Sequence, residues 1–508
     1  MRRITIFDTT LRDADQAAGL AFSPKDKPKI AVALAEAGVD IIEAGFPLSS
    51  MADRKACRDV LAALEGGTSQ VSLMCRGNMD DIRQTATLFN RKEQGVLHIT
   101  LPVSDGHIAS TLHLTKSQLL KKAVQTVSFA SELVSDVEMG AEDATRADVD
   151  FLCEYGEAVL GAGAATLNIA DTLGVFSPPQ MSHLFRTLRK RLASYLGKSG
   201  PSRKAKLSVH CHNDYGLAVA NTLAAMESGG DQIEVTVGGL GERAGNAALE
   251  EVIANLDRHA DIYHAVTGIR TDRLAGLAQT VCHAMGMALS PSKPILGWNV
   301  HAHASGIHQK GILHSEDSYS PEMLRSYGGI PERIVLSRHS GKAGITWAAK
   351  QSGLGELGEE VTRQLLNRVK QSESTTLGIT EFLTLAVRSG LIPLEVPPPL
   401  MCMAFSEYHY DAYSRVMASL SDGRAVTGEG VTPEEAVLNA AKEILGLELR
   451  LTKWELNGTG GKYRVYLEIH LPGEELFAIE RQGMIPGRLL FEGCLDVINC
   501  FQLSPSRF

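Results

Sequence analysis

From residue 4 to about residue 260, short apolar β-rich runs alternate with segments whose apolar residues recur at helical spacing. The runs fall at Ile4–Asp8, Asp40–Ala44, Val71–Cys75, Val96–Leu101, Asp136–Gly140, Ala165–Ile169, Lys206–His210 and Gln232–Thr236. Between them the spacing predicts helices over 30–37, 51–64, 80–92, 115–134, 146–161, 178–197, 215–228 and 247–259. Ser23-Pro24-Lys25-Asp26 reads as an N-cap with proline in the first turn, and Gly38 as the stop of that helix. Eight βα units in this length match the order of a TIM (β/α)8 barrel. A doubly wound open sheet is the runner-up, but the glycine fingerprint it needs after its first strand is missing.

Past residue 262 the pattern loosens. A helix and a loop rich in Gly, Pro and Lys lead to Asn299-Val300-His301-Ala302-His303-Ala304-Ser305-Gly306-Ile307-His308-Gln309, which is dense in histidine. Helical spacing returns over 340–390, and the proline run at 391–399 predicts a linker. The last hundred residues alternate as strands near Tyr408–Ser419, Leu449–Leu456 and Tyr463–Leu471 around a helix capped at Thr432-Pro433-Glu434-Glu435. A final apolar helix or strand is expected near Leu489–Phe501. Gly458-Thr459-Gly460-Gly461-Lys462 has the letters of a phosphate loop, but no helix follows, so a hairpin turn is the better reading. The expected organisation is α/β: a catalytic barrel over 1–265, helical subdomains over 266–395 and a small α+β domain over 400–508.

Composition narrows the function classes. At 508 residues the chain exceeds one ordinary domain, and 44% hydrophobic with 21% charged residues describes a soluble globular protein. The net charge of −9 and the lack of a basic run argue against nucleic acid and anionic membranes as partners. None of the 8 cysteines forms a CxxC pair, so neither a zinc cluster nor a disulfide scaffold is expected. The chain opens directly in a strand pattern and has no 18-residue apolar run, so a cytoplasmic protein without a membrane span is expected.

Candidate chemistry gathers at the carboxyl ends of the predicted strands, where a TIM barrel carries its active site. The first run ends in Asp8-Thr9-Thr10-Leu11-Arg12-Asp13. The seventh ends in His210-Cys211-His212-Asn213-Asp214. Histidines two apart on a strand share a face. With Asp13 as carboxylate they form a two-histidine, one-carboxylate set suited to Zn, Mn, Co or Fe, and less well to Mg. The competing reading, a pair of exposed loop histidines, would lead without Asp13. The eighth run enters Gly238-Gly239-Leu240-Gly241-Glu242-Arg243-Ala244-Gly245-Asn246, where Glu242, Arg243 and Asn246 are expected to brace the metal. Glu43, Arg76, His98, Glu142-Asp143 and Asp171-Thr172 occupy the other strands or strand ends. Each alone could be a solvated polar residue; together they mark one face of the barrel.

These three motifs together resemble the Claisen-condensing enzymes of the metal-dependent DRE-TIM group: 2-isopropylmalate synthase, homocitrate synthase and citramalate synthase. Gly45-Phe46-Pro47, Ser305-Gly306-Ile307-His308-Gln309 and His339-Ser340-Gly341-Lys342 favour the isopropylmalate branch. The resemblance implies an acyltransferase that condenses acetyl-CoA with a 2-oxo acid, with a divalent metal (Mg, Mn, Zn or Co), and a homodimer. It implies metal ligation by Asp13, His210, His212 and Asn246. Arg12 is implied as oxyanion stabiliser and substrate contact, His98, Gly140 and Thr172 as acceptor contacts, and Glu142 as catalytic. It also implies that His308 and Tyr319 handle the methyl proton. Three departures stand out: Ala14-Asp15 where the family has Gly-Glu, Gly140 where the branch has serine, and Leu101-Pro102-Val103-Ser104-Asp105, which is similar to the homocitrate branch. Gly458–Tyr463 lacks the Asp-Ala pattern of leucine-regulated relatives, so retained dimerisation without leucine feedback is expected. Competing expectations are the same reaction on phenylpyruvate, 2-oxoglutarate, pyruvate or a phosphonopyruvate, a metal-dependent aldolase or lyase, and a non-catalytic regulator.

Overall fold

The structure is a computed structural model. It describes residues 1–502 except residue 94 and the stretches 197–203, 316–317, 320–326, 328–332, 373–375, 393–400, 410–413, 422, 446–449, 460–461, 471–475 and 484–485. The chain divides into two compact units. The first holds 1–289 with 293–296 and 326–329; the second holds 290–292, 297–325 and 330–508.

In the first unit eight parallel strands close into a barrel. They are β1 (Thr5–Asp8), β2 (Ile41–Glu43), β3 (Gln70–Arg76), β4 (Gly95–Pro102), β5 (Asp136–Glu142), β6 (Thr166–Asp171), β7 (Lys206–Cys211) and β8 (Gln232–Val235). All eight predicted runs are strands. Pairing of β1 with β8, from Thr5↔Gln232 to Asp8↔Val235, closes the ring. Three helix predictions change: the one over 80–92 is shorter, at Met79–Ala86, the one over 178–197 is two helices, Pro178–Arg191 and Ala193–Leu196, and the helix after β1 spans Lys27–Glu36, with Asp26 at its N-cap and Pro28 in its first turn. Ser23 instead closes a turn onto Asp26 N. Gly38 does end this segment, at φ +89°, and a Cβ there would strike the Gly268 carbonyl.

The barrel interior is unusually polar. Branched apolar side chains normally fill it. Here Gln232 Nε2 on β8 donates to Glu138 on β5, and Asn168 Nδ2 on β6 donates to Glu234 on β8 at 2.5 Å. His98 on β4 bonds Glu43 on β2 at 2.7 Å. Bonds between non-neighbouring strands can form only across the interior. The apolar core therefore lies mainly outside the ring, where strand residues such as Leu97, Ile99, Leu167 and Val209 are fully buried under a surrounding layer of helices.

In the second unit, helices Gly306–His314, Lys342–Gln351, Glu359–Gln371 and Ile379–Arg388 follow one another. Leu336, Ile345, Leu365 and Phe382 share one apolar cluster there. Most of the predicted linker, residues 393–399, lies outside the described residues. Further on are two three-stranded antiparallel sheets and helices Pro433–Leu445 and Pro486–Gln502, sharing a core around Val416, Val437, Phe491 and Leu495. The predicted single strand Tyr408–Ser419 is instead two strands, Cys402–His409 and Ser414–Leu420, paired antiparallel. Strands Arg450–Thr459 and Lys462–His470 pair antiparallel on either side of Gly460-Gly461, which lie outside the described residues.

Candidate active site

The site begins where β1 stops. Asp8 is fully buried, and burial pushes its carboxyl up to about 7 against hydrogen bonds from Thr10. Thr10 N and Oγ1 both donate to it, which turns the chain sharply. Arg12 and Asp13 are thereby folded back over the barrel mouth. Arg12 Nε donates to Glu43 Oε2 and Nη1 to Asp13 Oδ2, both at 2.6 Å. Burial opposes charge on Glu43, but Arg12 and His98 outweigh it and hold the carboxyl well below its ordinary value.

His98 answers Glu43 on the other side. Burial lowers its pKa, yet Glu43 more than compensates and raises it to about 9 from an ordinary 6.5. A histidine whose folded pKa is raised stabilises fully below about 6.5, and that stabilisation is lost as pH rises through about 9. His98→Asn should therefore cost most stability at pH 6, and the gap to the parent should shrink by about 3 kcal/mol by pH 10. Denaturant unfolding of both proteins across that range checks this; a pH-independent gap would show that His98 is not an imidazolium in the folded protein.

β7 brings His210 and His212 to the same face. Their Nε2 atoms lie 3.2 Å apart, and His210 Nε2 is 3.9 Å from Asp13 Oδ2. Burial presses both imidazoles down to about 4, His212 aided by His210, so both are neutral at pH 7. His210 Nδ1 donates to Glu234 Oε2 at 2.9 Å, which leaves its Nε2 lone pair facing Asp13. Burial works against the Asp13 carboxylate, but the Arg12 guanidinium, with the Glu242 N–H, keeps it ionised. Asn246 Nδ2 and Glu242 N donate to Asp13 Oδ1 at 2.8 and 3.0 Å, and Asn246 Oδ1 is buried with no partner. Gly241 is required here, because a Cβ would sit 2.6 Å from Asp13 Oδ1 and overlap Asn246 Nδ2. Two neutral imidazoles, an anionic carboxylate and an unpartnered amide oxygen, backed by Glu234, are a donor set that fits a divalent ion.

The comparisons agree with this architecture. Residues 3–281 match the HMGL-like family model, and residues 295–376 match a homocitrate synthase post-HMGL domain-like model. A 2-isopropylmalate synthase from Pyrococcus furiosus is 34% identical over 496 residues, covering 95% of this chain and 94% of that one. Another, from Nitrosomonas europaea, is 35% identical over 478 residues, 92% of each chain. The chain belongs to the 2-isopropylmalate synthase family. A solved HMG-CoA lyase from Acenitobacter baumannii aligns over 56% of this chain and 92% of its own, at 21% identity and a TM-score of 0.46.

The remaining residues expected from the family resemblance fall in two places. Gly140 lies in the barrel beside His98: a Cβ there would be 3.2 Å from His98 Nε2 and 3.0 Å from Thr100 Oγ1. Thr172 Oγ1 accepts from Asp143 N at 2.9 Å, and Glu142 ends β5, its carboxyl 3.6 Å from His107 Nδ1. His308 and Tyr319 belong to the second unit, where their rings stack with centroids 4.0 Å apart. His303 is buried 6.1 Å from His308, centroid to centroid.

Several strand-end residues turn out to be structural. Arg76 is two-thirds exposed and pairs with Asp81. Asp171 accepts from Thr145 Oγ1, Val175 N and Phe176 N and shapes the loop after β6. Glu242 reaches Asp13 through its backbone N–H, while Arg243 ties Asp214 to the Thr172 carbonyl. Asp15, the departure beside Arg12-Asp13, pairs with buried Lys27 at 2.7 Å and accepts from Phe22 N. That departure is absorbed by a local ion pair rather than turned toward the barrel. Glu138 and Glu234 were not singled out by the sequence. Both are fully buried, and burial raises both carboxyls, Glu138 to about 8 and Glu234 to about 7, which favours their protonated forms.

Proposed function

We propose that the chain is an acyltransferase that condenses acetyl-CoA with a 2-oxo acid, releasing CoA and a 2-substituted malate. Near-full-length similarity to 2-isopropylmalate synthases at 34–35% identity carries this reading. The convergence of Asp13, His210, His212 and Asn246 at the mouth of the barrel supports it. The match of residues 295–376 to the homocitrate synthase post-HMGL domain-like model favours condensation over an aldolase or lyase reaction.

A divalent ion held by Asp13, His210, His212 and Asn246 would supply Lewis-acid polarisation of the acceptor's ketone. The rest is the work of the chain. Arg12, fixed by two carboxylates, presents its remaining N–H groups to the oxygen that gains negative charge. His98 and Thr172 orient the acceptor. His308, stacked on Tyr319, takes the methyl proton of acetyl-CoA, and Glu142 serves the proton transfers that follow. The methyl carbon adds to the ketone, water cleaves the thioester, and CoA leaves as thiol. The working unit is a homodimer.

A thiol-release assay across 2-oxo acids, with Mg, Mn, Zn and Co in turn, tests the reading. Release must require both a 2-oxo acid and a metal; no release with any acceptor would refute it. Gly140 supports a second form of the same reading, an acceptor bulkier than 2-oxoisovalerate such as phenylpyruvate. Gly140→Ser fills space beside Thr100 and His98. It should move the kcat/KM ratio toward 2-oxoisovalerate by about tenfold or more. An unchanged ratio would remove Gly140 as a determinant of the acceptor.

A further inference from the structure

Glu142 is held from two sides at the carboxyl end of β5. Val103 N, just past β4, donates to the Glu142 carbonyl at 2.9 Å. Its neighbour Asp143 takes a left-handed conformation, φ 57°, uncommon outside glycine though aspartate tolerates it better than most residues. Asp143 is fully buried, Arg146 grips it with bonds of 2.8 and 2.6 Å, Ser104 Oγ donates to it, and its N–H donates to Thr172. The backbone of Glu142 is therefore fixed, while its side chain, 39% exposed, projects with no hydrogen bond of its own among the described residues.

The segment after β4 places one imidazole against it. Residues 105–107 form a single helical turn, and Ile108–Leu112 widen into a π-helical turn that ends on His113 at φ 53°. Such π turns recur at functional sites. Ser110 Oγ bonds the Gly106 carbonyl and braces the turn. His107 Nδ1 thereby comes to 3.6 Å from both Glu142 Oε1 and Asp143 Oδ2. Among the described residues of this unit, the titratable groups facing Glu142 are His107 from this turn and Asp143 beside it, whose own partner is Arg146.

We propose that His107 is a positioning residue for Glu142, holding its carboxylate at the barrel mouth and favouring its ionised form. The proposal rests on reading Glu142 as an acid–base group in the condensation. Its direction follows from the local charges. Burial raises the Glu142 carboxyl, His107 opposes that rise, and Asp143 reinforces it. Without His107 the carboxyl titrates higher, and Glu142 stays protonated over a wider acid range.

The test is the pH profile of kcat for thiol release in the full-length enzyme, with His107→Ala and His107→Asn beside the parent. Both variants should shift the acid limb upward by about half a unit or more, since a charge at this distance and partial exposure has that order of effect. In a Glu142→Gln background that limb should be absent and His107→Ala should change nothing further. A purely structural role would lower kcat at all pH values without moving the limb. Folded His107 variants with an unmoved limb overturn the proposal, as does a Glu142→Gln enzyme that keeps the parent limb. If the parent releases no thiol with any acceptor, the functional reading fails. The proposal is then decided by 13C-carboxyl titration of Glu142, identified by its absence from Glu142→Gln. A Glu142 titration unchanged by His107→Ala rejects it.

Discussion

Arg12→Gln should lower kcat for thiol release by about two to three orders of magnitude, the range seen when one preorganised oxyanion donor is removed. The same substitution should destabilise the fold. Arg12 is only 9% exposed and stands between Glu43 and Asp13, 2.6 Å from each. Glutamine takes the guanidinium from both carboxylates; Glu43 keeps His98 at 2.7 Å and Asp13 keeps the N–H groups of Asn246 and Glu242, so the loss should lie near the lower end of the about 3–5 kcal/mol expected when one partner of a buried pair is removed. The two effects separate in the double variant Arg12→Gln, Glu43→Gln. Neutralising Glu43 removes one of the two carboxylate charges, and His98, no longer held protonated by it, turns neutral, so stability recovers in part while kcat does not. The sign with pH is also set. Glu43 and Asp13 titrate well below their ordinary values in the parent, so their contribution is present above the unfolded carboxyl range and lost as pH falls through the folded values. The variant lacks that contribution, so its deficit is greatest near neutrality and closes in acid. A folded Arg12→Gln enzyme within tenfold of parental kcat would exclude the oxyanion role.

The barrel was legible because each strand is a short apolar run cut off by charge, and that signature survives without knowledge of its neighbours. Asp13, His210 and His212 were legible for the same reason: chemistry at strand ends is a linear pattern. Glu138, Glu234 and Gln232 were not. They sit inside apolar runs, Asp136-Val137-Glu138-Met139 and Gln232-Ile233-Glu234-Val235, where only the closed ring reveals that they meet. The available signal was a carboxylate within a strand whose two neighbours are both buried apolar residues. The strand Ala425–Gly430 was missed for another reason. Its glycines look like loop residues, yet a Cβ on Gly428 or Gly430 would strike the backbone of helix Pro433–Leu445, so glycine there is the condition for helix and sheet to touch. The Tyr408–Ser419 run hid two antiparallel strands because no glycine or proline separates them; residues 410–413 between them lie outside the described residues.

Asp13→Ala should abolish metal retention and reduce thiol release by about three orders of magnitude or more, since Lewis-acid stabilisation is worth several kcal/mol of barrier. Asp13 Oδ2 is paired with Arg12 and faces His210 Nε2, while Oδ1 gathers Asn246 Nδ2 and Glu242 N. Its removal leaves two neutral imidazoles without a carboxylate and takes from Asn246 Nδ2 and Glu242 N their shared acceptor, while Val237 N still holds the start of the loop after β8 to Thr10 Oγ1. Elemental analysis of the purified protein should fall from about one divalent ion per chain to near zero, with thermal unfolding reporting that the barrel still forms. A second donor group competes for the same prediction: His98, Glu138 and Glu234 also have ligand atoms within 4.8 Å of one another. It is the poorer site. His98 Nδ1 is committed to Glu43, both Glu138 oxygens accept from Gln232, and burial favours a proton on Glu138 and Glu234 over two negative charges. A metal there would have to displace that proton and break those bonds, whereas Asp13, His210 and His212 need no change of protonation to bind. If Asp13→Ala keeps its metal and Glu138→Gln loses it, the ion belongs to the deeper group and the assignment of His98 to the acceptor fails with it.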